Sequence, residues 1–407
     1  MKKSQLINYA KLATKIGLNI QPNQEVDIIV SPDQAEFAKY LTIEAYRLKA
    51  KRVRVRYTDD NITKLHYKYQ KQKALNEFTS LDKAELERKK EVLPCMIYVE
   101  DSDPNAFNGI KTEKINAARQ AKYPFQKPYI DYLDNRYQWV IIAMPSFGWS
   151  KKVFPELGKR EGFKKLEEAI LSCTRLDQVD PVKAWEDHIN KLKSQAKFMN
   201  NHHFESLTYS SSNGTDITVG LHPKHVWLSA REDTLQGISF SANMPTEEVF
   251  TMPDKYNVNG IVYSTKPLSY QGNLIEDFSV EFKDGKAVKV NAKVGQKYLE
   301  EMINMDEGSA YLGEVALVPF NSPINETNIM FYNTLFDENA CCHLALGMAF
   351  KNNLEGYENM NEEDFKNENY NDSMNHVDFM IGTKDLKIVG NKGNQKTVVF
   401  ENGVWAF

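Results

Sequence analysis

The first half of the chain alternates short apolar runs with longer segments in which apolar residues recur at helical spacing. Strands are predicted at residues 25–30, 52–57, 95–99 and 139–144, and the second of these alternates arginine and valine strictly. Helices are predicted at 1–17, 33–49, 63–90 and 109–122. Because strands alternate with helices, we expect an α/β domain with a mainly parallel sheet.

After residue 204 the pattern changes to short strands. Residues 216–219 alternate, and runs at 280–282 and 287–290 flank Asp284-Gly285, a dipeptide typical of tight hairpins. A short helix is predicted at 296–305 and a final pair of strands at 396–407. Asp180 and Pro181 open the helix that precedes this change and runs to about residue 198. We therefore expect an α/β domain with a linking helix at 1–200 and a β-rich α+β domain at 201–407.

Composition and charge exclude several classes of function. The chain has 407 residues, which suggests two to three domains with ample core. Its formal net charge of −4 gives no reason to expect nucleic acid or an anionic membrane as a partner. No GxGxxG follows the first strand and no GxxxxGK[ST] occurs anywhere, so a nucleotide site is not expected.

The sequence also suggests where the protein works. Polar residues interrupt the basic N-terminus before any signal-peptide core can form. No run approaches the roughly 18 apolar residues that a membrane span needs. Its cysteines form no CxxC pair, which is typical of free thiols in a reducing compartment. A cytoplasmic protein is therefore expected.

Candidate metal ligands stand inside apolar sequence in the second half. His376 and Asp378 are two residues apart in a strand-like run that ends at Gly382. Side chains so spaced in a strand share one face, about 6–7 Å apart along the backbone, and could hold one divalent metal ion. The alternative is a surface His and Asp on a half-exposed strand. Upstream, Glu314 is the single acid of an apolar run at 311–318, where burial calls for a cation or a metal as its partner.

Two further segments carry the same residue types. Asp337 or Asn339 could cap a helix, which would place His343 within its first two turns on an apolar face, either as a ligand or as a core histidine. In 245–251, Glu247 and Glu248 precede a β-branched and aromatic run. Carboxylates with imidazoles suit zinc, cobalt or manganese, and this many candidates leaves room for a pair of ions.

Four segments, in this order, resemble the sequence blocks of a known family. They are 243–251 (NMPTEEVFT), 312–317 (LGEVAL), 338–347 (ENACCHLALG) and 375–382 (NHVDFMIG). The chain resembles the thermophilic metalloaminopeptidases, the family of aminopeptidases T, S and II, over nearly its whole length. The resemblance implies a homodimeric exopeptidase that removes N-terminal residues from small peptides with two divalent metal ions: zinc, cobalt, manganese or magnesium. The ligands that it implies are Glu248, Glu314, Glu338, His343, His376 and Asp378.

Glu247 is the candidate catalytic residue that would carry a proton. Adjacent side chains of an extended segment face opposite ways, so Glu247 and Glu248 are not expected to bind one ion equally. The resemblance points to Glu248 as the ligand, which leaves Glu247 as a proton carrier or a surface acid. Two other interpretations stay open: an inactive relative that binds peptide or metal without turnover, and a protein whose ions only hold the β-rich domain together.

One position departs from the family's pattern. The family places a tyrosine seven residues past the histidine of the third block, and this chain has Phe350 there. If the predicted helix continued, Phe350 would lie two turns past His343 on the same face. A tyrosine hydroxyl could donate a hydrogen bond to the oxyanion of the reaction. Its loss is expected to lower turnover unless Tyr357 or another donor replaces it.

Overall fold

The computed structural model describes residues 1–101, 103–271 and 273–407. The helices are α1 (Lys3–Lys11, continued by a π-helix at Leu12–Gly17), α2 (Ala35–Arg47), α3 (Asp60–Tyr69), α4 (Gln72–Asn76), α5 (Ser80–Val92), α6 (Thr112–Leu133), α7 (Phe147–Val153), α8 (Lys159–Cys173), α9 (Pro181–His202), α10 (Gln296–Ile303), α11 (Pro323–Glu326), α12 (Thr334–Asp337) and α13 (Glu362–Asn367). The strands are β1 (Glu25–Val30), β2 (Arg52–Tyr57), β3 (Cys95–Glu100), β4 (Trp139–Ala143), β5 (Ser206–Ser210), β6 (Asp216–Leu221), β7 (Glu232–Asp233), β8 (Ser239–Phe240), β9 (Asn243–Met244), β10 (Val249–Thr251), β11 (Pro253–Tyr263), β12 (Leu268–Tyr270), β13 (Asn273–Lys283), β14 (Lys286–Val294), β15 (Leu312–Leu317), β16 (His343–Gly347), β17 (His376–Met380), β18 (Lys387–Lys392), β19 (Gln395–Glu401) and β20 (Val404–Trp405).

These elements form two compact units. Unit 1 consists of residues 1–187 and 231–244, and unit 2 of residues 188–230 and 245–407. This division differs from the predicted boundary at 200/201, because α9 spans the change of unit and because 231–244 belongs to unit 1. That segment carries β9, which pairs with β4 over two residues. A two-residue strand has no periodicity, so the sequence gives no sign of this pairing.

Unit 1 is built on a sheet of five strands in the order β2-β1-β3-β4-β9. Every pair in this sheet is parallel. Val26, Ile28 and Val30 of β1 are buried, as is Phe37 of α2. Apolar strands covered by helices are what a parallel sheet requires. The predicted α/β architecture of this region is confirmed.

The charged segment predicted as one helix at 63–90 is three helices, α3, α4 and α5. The side chain of Asp59 accepts a hydrogen bond from the backbone N–H of Asn61 and so starts α3. Thr79 and Asp82 start α5 by capping each other: Thr79 N–H donates to the Asp82 carboxylate at 2.8 Å, and Asp82 N–H donates to the Thr79 hydroxyl at 3.2 Å. The capping residues divide a segment that looks continuous from its charge alone.

Unit 2 holds two antiparallel sheets. The larger has nine strands, in the order β12-β13-β11-β6-β5-β18-β19-β20 with β14 on β13, and the smaller has four, in the order β10-β15-β16-β17. The hairpin predicted from Asp284-Gly285 joins β13 to β14, and Gly285 adopts a φ of +82° that suits glycine. The predicted β-rich α+β region is confirmed.

The helix predicted around His343 is wrong. α12 and a 3-10 turn at Glu338–Ala340 end before Cys341, and His343 opens β16. This strand is paired with β15 on one side and with β17 on the other. The apolar residues of HLALG suit either a helix or a strand, and the two neighbouring strands decide the matter by taking up the backbone hydrogen bonds.

Two features bear on membrane spanning and on the state of the cysteines. Among the residues that the structure describes, no helix is long and apolar enough to cross a membrane. All four cysteines are buried, and none of them forms a disulfide.

Candidate metal centre

The candidate ligands of the four-stranded sheet share one of its faces. In the strand pairing, Glu314 of β15 and Asp378 of β17 both stand opposite Ala345 of β16. Directly paired residues point to the same side of a sheet, and so do residues two apart in one strand. His343, two residues before Ala345, and His376, two residues before Asp378, therefore point the same way. The small side chain of Ala345 leaves space between the two carboxylates.

Glu248 reaches this face from the edge of the sheet. It lies just before β10 and two residues before Phe250, which stands opposite Ala316 of β15. Its Oε2 lies 3.2 Å from Nε2 of His343. The candidate ligands all belong to unit 2.

The two imidazoles lie between the carboxylates. Nε2 of His343 is also 3.6 Å from Oε1 of Glu314. Nε2 of His376 is 3.2 Å from Oε2 of Glu314 and 3.4 Å from Oδ1 of Asp378. Glu314 therefore turns one oxygen to each histidine. The expectation that His376 and Asp378 share a strand face is confirmed, and Glu314 lies close to both.

The rings are oriented by their other nitrogen atoms. Nδ1 of His376 donates a hydrogen bond to the carbonyl oxygen of Met348 at 2.7 Å. Nδ1 of His343 lies 3.4 Å from the carbonyl oxygen of Cys341. In metal sites the second ring nitrogen commonly donates to a carbonyl in this way, which turns Nε2 toward the ion.

The pKa values of these groups are shifted because several buried carboxylates lie close together. Burial, together with the carboxylates of Asp378 and Glu248, raises the pKa of Glu338 well above its ordinary value. Burial acts to lower the pKa of His343 and His376, but the carboxylates around them outweigh it and raise both values well above the ordinary one. The acids thus outnumber the bases that could neutralise them.

The ligand atoms form two overlapping groups. Those of Glu248, Glu314 and His343 lie within 4.8 Å of one another, and so do those of Glu314, His376 and Asp378. Glu338 lies in neither group, although its pKa responds to Asp378 and Glu248. Buried carboxylates and imidazoles are the donors that zinc, cobalt and manganese accept. Because the cluster is short of positive charge, these residues fit divalent metal ions.

Glu247 is buried and contacts a different histidine from Glu248. Its Oε2 lies 3.6 Å from Nε2 of His188, and its backbone N–H donates to Oδ1 of Asn339 at 2.7 Å. The same Nε2 of His188 lies 2.8 Å from the carbonyl oxygen of Thr246. The separation of Glu247 from Glu248 follows the alternation of an extended segment. Glu247 is not a surface acid.

Phe350 does not continue a helix from His343. It follows β16 and precedes a short 3-10 turn at Lys351–Asn353. Its ring centroid lies 4.6 Å from that of His376 and 6.1 Å from that of Phe250. The position therefore borders the site, but beside His376 rather than beside His343 as predicted.

A model of the thermophilic metalloprotease family, M29, matches residues 2–405. The chain belongs to the M29 family. The resemblance seen in the four sequence blocks is thereby confirmed, and this M29 chain is a metal-dependent enzyme that hydrolyses peptide bonds.

Several relatives are similar over their full length. Aminopeptidase AmpS of Bacillus subtilis is 41% identical over 407 residues, which is 99% of each chain. Aminopeptidase T of Thermus thermophilus is 36% identical and covers 99% of this chain and 98% of its own. The solved structure of wild-type AmpT from Thermus thermophilus matches with a TM-score of 0.91 at 33% identity, over 100% of both chains.

The charged residues of this M29 site are recognisable from the sequence, but their neighbours are not. His188 meets the backbone of a residue 58 positions away, and no local pattern indicates that contact. Ala345 is an ordinary apolar residue in the sequence. If residues 343–347 are taken as a strand, alternation alone places His343 and Ala345 on one face, so this signal was present.

Proposed function

We propose that this chain is an aminopeptidase that uses two divalent metal ions to hydrolyse the first peptide bond of small peptides. The M29 family and its aminopeptidase relatives support the general part of this proposal, a metal-dependent hydrolase of N-terminal peptide bonds. The observation that carries the two-ion proposal is Glu314, whose Oε1 faces His343 and whose Oε2 faces His376. The proposed ligands are Glu248, Glu314, Glu338, His343, His376 and Asp378.

The charge of the cluster supports two ions rather than one. Imidazoles must be neutral to bind a metal, and the four acids Glu248, Glu314, Glu338 and Asp378 then carry four negative charges. Two divalent ions balance these charges. One ion would leave uncompensated carboxylates in buried surroundings, which is costly.

When bound, the ions would lower the pKa of a water molecule and polarise the carbonyl of the peptide bond. The remaining work falls to the chain's own residues. The carbonyl oxygen of Met348 holds the His376 ring so that Nε2 can act as a metal ligand. Glu247, buried against His188, is the proposed proton carrier, which takes a proton during attack and delivers it to the leaving amine.

The test is an assay before and after removal of metal by a chelator. Hydrolysis of leucyl-p-nitroanilide and of free dipeptides should stop on chelation. It should resume when zinc, cobalt, manganese or magnesium is added back, one metal at a time. An N-acetylated dipeptide should resist the enzyme, because its amine is blocked. Glu314→Gln should abolish both activity and metal binding, and the exposed Glu326→Gln serves as its matched control. Full activity of the chelated protein, or cleavage of the acetylated peptide at an equal rate, would refute the proposal.

Three finer properties are part of this proposal. The native metal is to be identified from the ion that restores the highest turnover. A homodimer, which the resemblance implies, is to be checked by light scattering. A cytoplasmic location is supported by four buried thiols that form no disulfide, and fractionation of the source cells tests it.

A further inference from the structure

A cavity in unit 1 lies between the parallel sheet and helix α5. It has a volume of about 220 Å³, and all of its lining residues belong to unit 1. An engineered apolar cavity of about 150 Å³ is large enough to bind benzene, so this one has room for a small ring with a substituent. The candidate metal centre, by contrast, consists of residues of unit 2.

The sheet turns a charged face to this cavity. Two rows of paired lining residues form the face: Asp27 with Arg54 and Met96, and then Ile29 with Arg56 and Tyr98. The alternating residues of the opposite face are apolar, and Val26, Ile28 and Val30 among them are buried. A parallel sheet between helices normally carries apolar residues on both faces. The charged face therefore needs a reason other than packing.

Helix α5 also turns polar residues to the cavity. The lining residues Asp82, Glu85, Leu86 and Lys89 recur at the spacing of a single helix face. That face is normally the apolar stripe of a helix packed on a sheet. The structure describes all of α5 and buries none of its residues. Both walls of the cavity are therefore suited to a polar ligand.

Ion pairs hold the charged side chains of these walls. Asp27 is only 3% exposed, and its Oδ2 lies 2.7 Å from Nη2 of Arg54 and 2.9 Å from Nη1 of Arg88. Nη1 of Arg56 lies 3.4 Å from Oε2 of Glu85. The guanidinium groups are thereby fixed on the cavity wall before any ligand arrives.

Hydrogen-bond donors remain after these pairs are formed. Nε of Arg54 is buried, and no described residue accepts a hydrogen bond from it. An unsatisfied buried donor is costly, and an acceptor oxygen of a ligand would satisfy it. Nζ of Lys89 donates to the Tyr137 hydroxyl at 2.8 Å, and burial lowers the pKa of Lys89 to about 8. This ammonium has lost hydration that an anion would replace.

The lining carries one net positive charge. Its four cationic residues are Arg54, Arg56, Arg88 and Lys89, and its three acids are Asp27, Asp82 and Glu85. A ligand with one negative charge balances this lining. A dianion exceeds the balance and is repelled by the acids.

We propose that this cavity binds a small organic monoanion, a carboxylate attached to an apolar or aromatic body. The carboxylate accepts hydrogen bonds from Nε of Arg54 and from Lys89, and such charge-assisted bonds are stronger than neutral ones. The proposal concerns unit 1 and does not depend on peptidase activity.

The apolar body of the ligand packs on the remaining wall. Phe78, Leu86 and Tyr98 are lining residues with apolar surface. The ring of Phe78 is itself held in place, because it stacks on Phe125 with ring centroids 5.5 Å apart. A flat aromatic wall favours a ring as the body of the ligand.

Hydrocinnamate and its neutral amide test the proposal by calorimetry on the full-length, metal-loaded protein. One hydrocinnamate should bind per chain, and the amide should bind at least about tenfold more weakly because it lacks the charge. Inorganic phosphate, which is largely a dianion above neutral pH, should also bind more weakly. Absence of hydrocinnamate binding, equal affinity for the amide, or tighter binding of phosphate would overturn the proposal.

Chelation separates this cavity from the candidate metal centre. A carboxylate can also ligate a metal ion, so hydrocinnamate is titrated into the full-length protein before and after removal of metal. Binding in unit 1 should persist with the same affinity. Binding that disappears on chelation would place the anion at the metal centre and refute the assignment.

Variants of the cavity wall locate the binding site. Arg54→Gln should weaken hydrocinnamate binding by at least about tenfold. Arg52→Gln, on the same strand but 64% exposed and outside the lining, is the matched control. Leu86→Trp fills the cavity and is the second variant should Arg54→Gln not fold. Leu81→Trp, at a residue 70% exposed on the same helix, is its control. Wild-type affinity in Arg54→Gln or in Leu86→Trp would show that the anion binds elsewhere.

Discussion

At the scale of single residues, the site depends on side chains whose two polar atoms each make a contact. His376 turns Nε2 to Glu314 and Asp378 while Nδ1 donates to the carbonyl oxygen of Met348. Each acid or imidazole was conspicuous in the sequence because it interrupts an apolar run. The contact of His188 with Glu247 was not predictable, since only the fold brings these distant residues together.

The first prediction concerns His376→Ala. The substitution removes a proposed ligand, so metal affinity measured by calorimetry with zinc or cobalt should fall by more than the about 10–100-fold typical of losing an outer-shell partner. Turnover should fall with it. His66→Ala, on the exposed surface of α3, should bind metal as the wild type does. An unaltered affinity in His376→Ala would remove this residue from the ligand set.

The second prediction concerns Phe350→Tyr. The ring lies 4.6 Å from the ring of His376, so an added hydroxyl would stand at the edge of the site. Turnover on peptides should rise by about 10²-fold if that hydroxyl stabilises the oxyanion, with metal content unchanged. Phe125→Tyr, at a residue 57% exposed, is the control. An active wild type that Phe350→Tyr does not improve would show that the reaction uses no hydroxyl here.

At the scale of elements, the strands of unit 1 were predictable because each is a distinct apolar or alternating run between helices. The helix around His343 was not, because five apolar-rich residues fit both periodicities. The neighbours decided its conformation: β15 and β17 pair with residues 343–347 on both sides. Long-range pairing of this kind is invisible to a local pattern.

The third prediction concerns the face of β16 on which His343 and Ala345 lie. Ala345 stands opposite both Glu314 and Asp378, so Ala345→Leu should push these carboxylates apart and weaken metal binding. Overpacking should also lower the free energy of unfolding by about 1–3 kcal/mol. Leu344→Met, a volume-conserving change on the opposite face, should leave metal affinity near the wild-type value. Calorimetry and thermal melting measure the two effects, and equal affinities in both variants would contradict the assignment of the face.

At the scale of the whole molecule, metal binding should contribute to stability. The buried acids of the cluster repel one another, and divalent ions that bind only the folded chain stabilise it by about 2.7 kcal/mol at a hundred times the dissociation constant. Chelation should therefore lower the melting temperature, and returned metal should restore it. Glu314→Gln should respond to neither treatment. A melting temperature that chelation leaves unchanged in the wild type would contradict selective binding of the ions by the folded chain.

The last prediction concerns stability in acid. Burial, with the nearby rings of His222 and His203, lowers the pKa of His225 from 6.5 to about 4, and its Nε2 has no hydrogen-bond partner within the described ranges. The unfolded chain therefore binds the proton more readily than the folded chain. The stability that depends on neutral His225 is fully present above pH 6.5 and decreases as the pH falls toward 4. The decrease amounts to at most about 3 kcal/mol. His225→Asn keeps a donor for the carbonyl oxygen of His222 and should flatten this dependence, measured by denaturant unfolding against pH.

The exposed His66→Asn is the matched control for that experiment and should keep the wild-type pH profile. A wild-type stability that stays constant between pH 6.5 and 4 would show that the neutral form of His225 is not required by the fold.

The return of residues 231–244 to unit 1 has a consequence for how the protein is made. The sheet of unit 1 lacks its edge strand β9 until residue 244 has been synthesised, and by then residues 188–230 of unit 2 have already been synthesised. At ordinary translation rates of about 5–20 residues per second, the first four strands of this sheet wait roughly 5–20 s for β9. The ribosome therefore delivers the two units interleaved rather than one after the other. A gene cut at any single point leaves at least one of them without part of its chain.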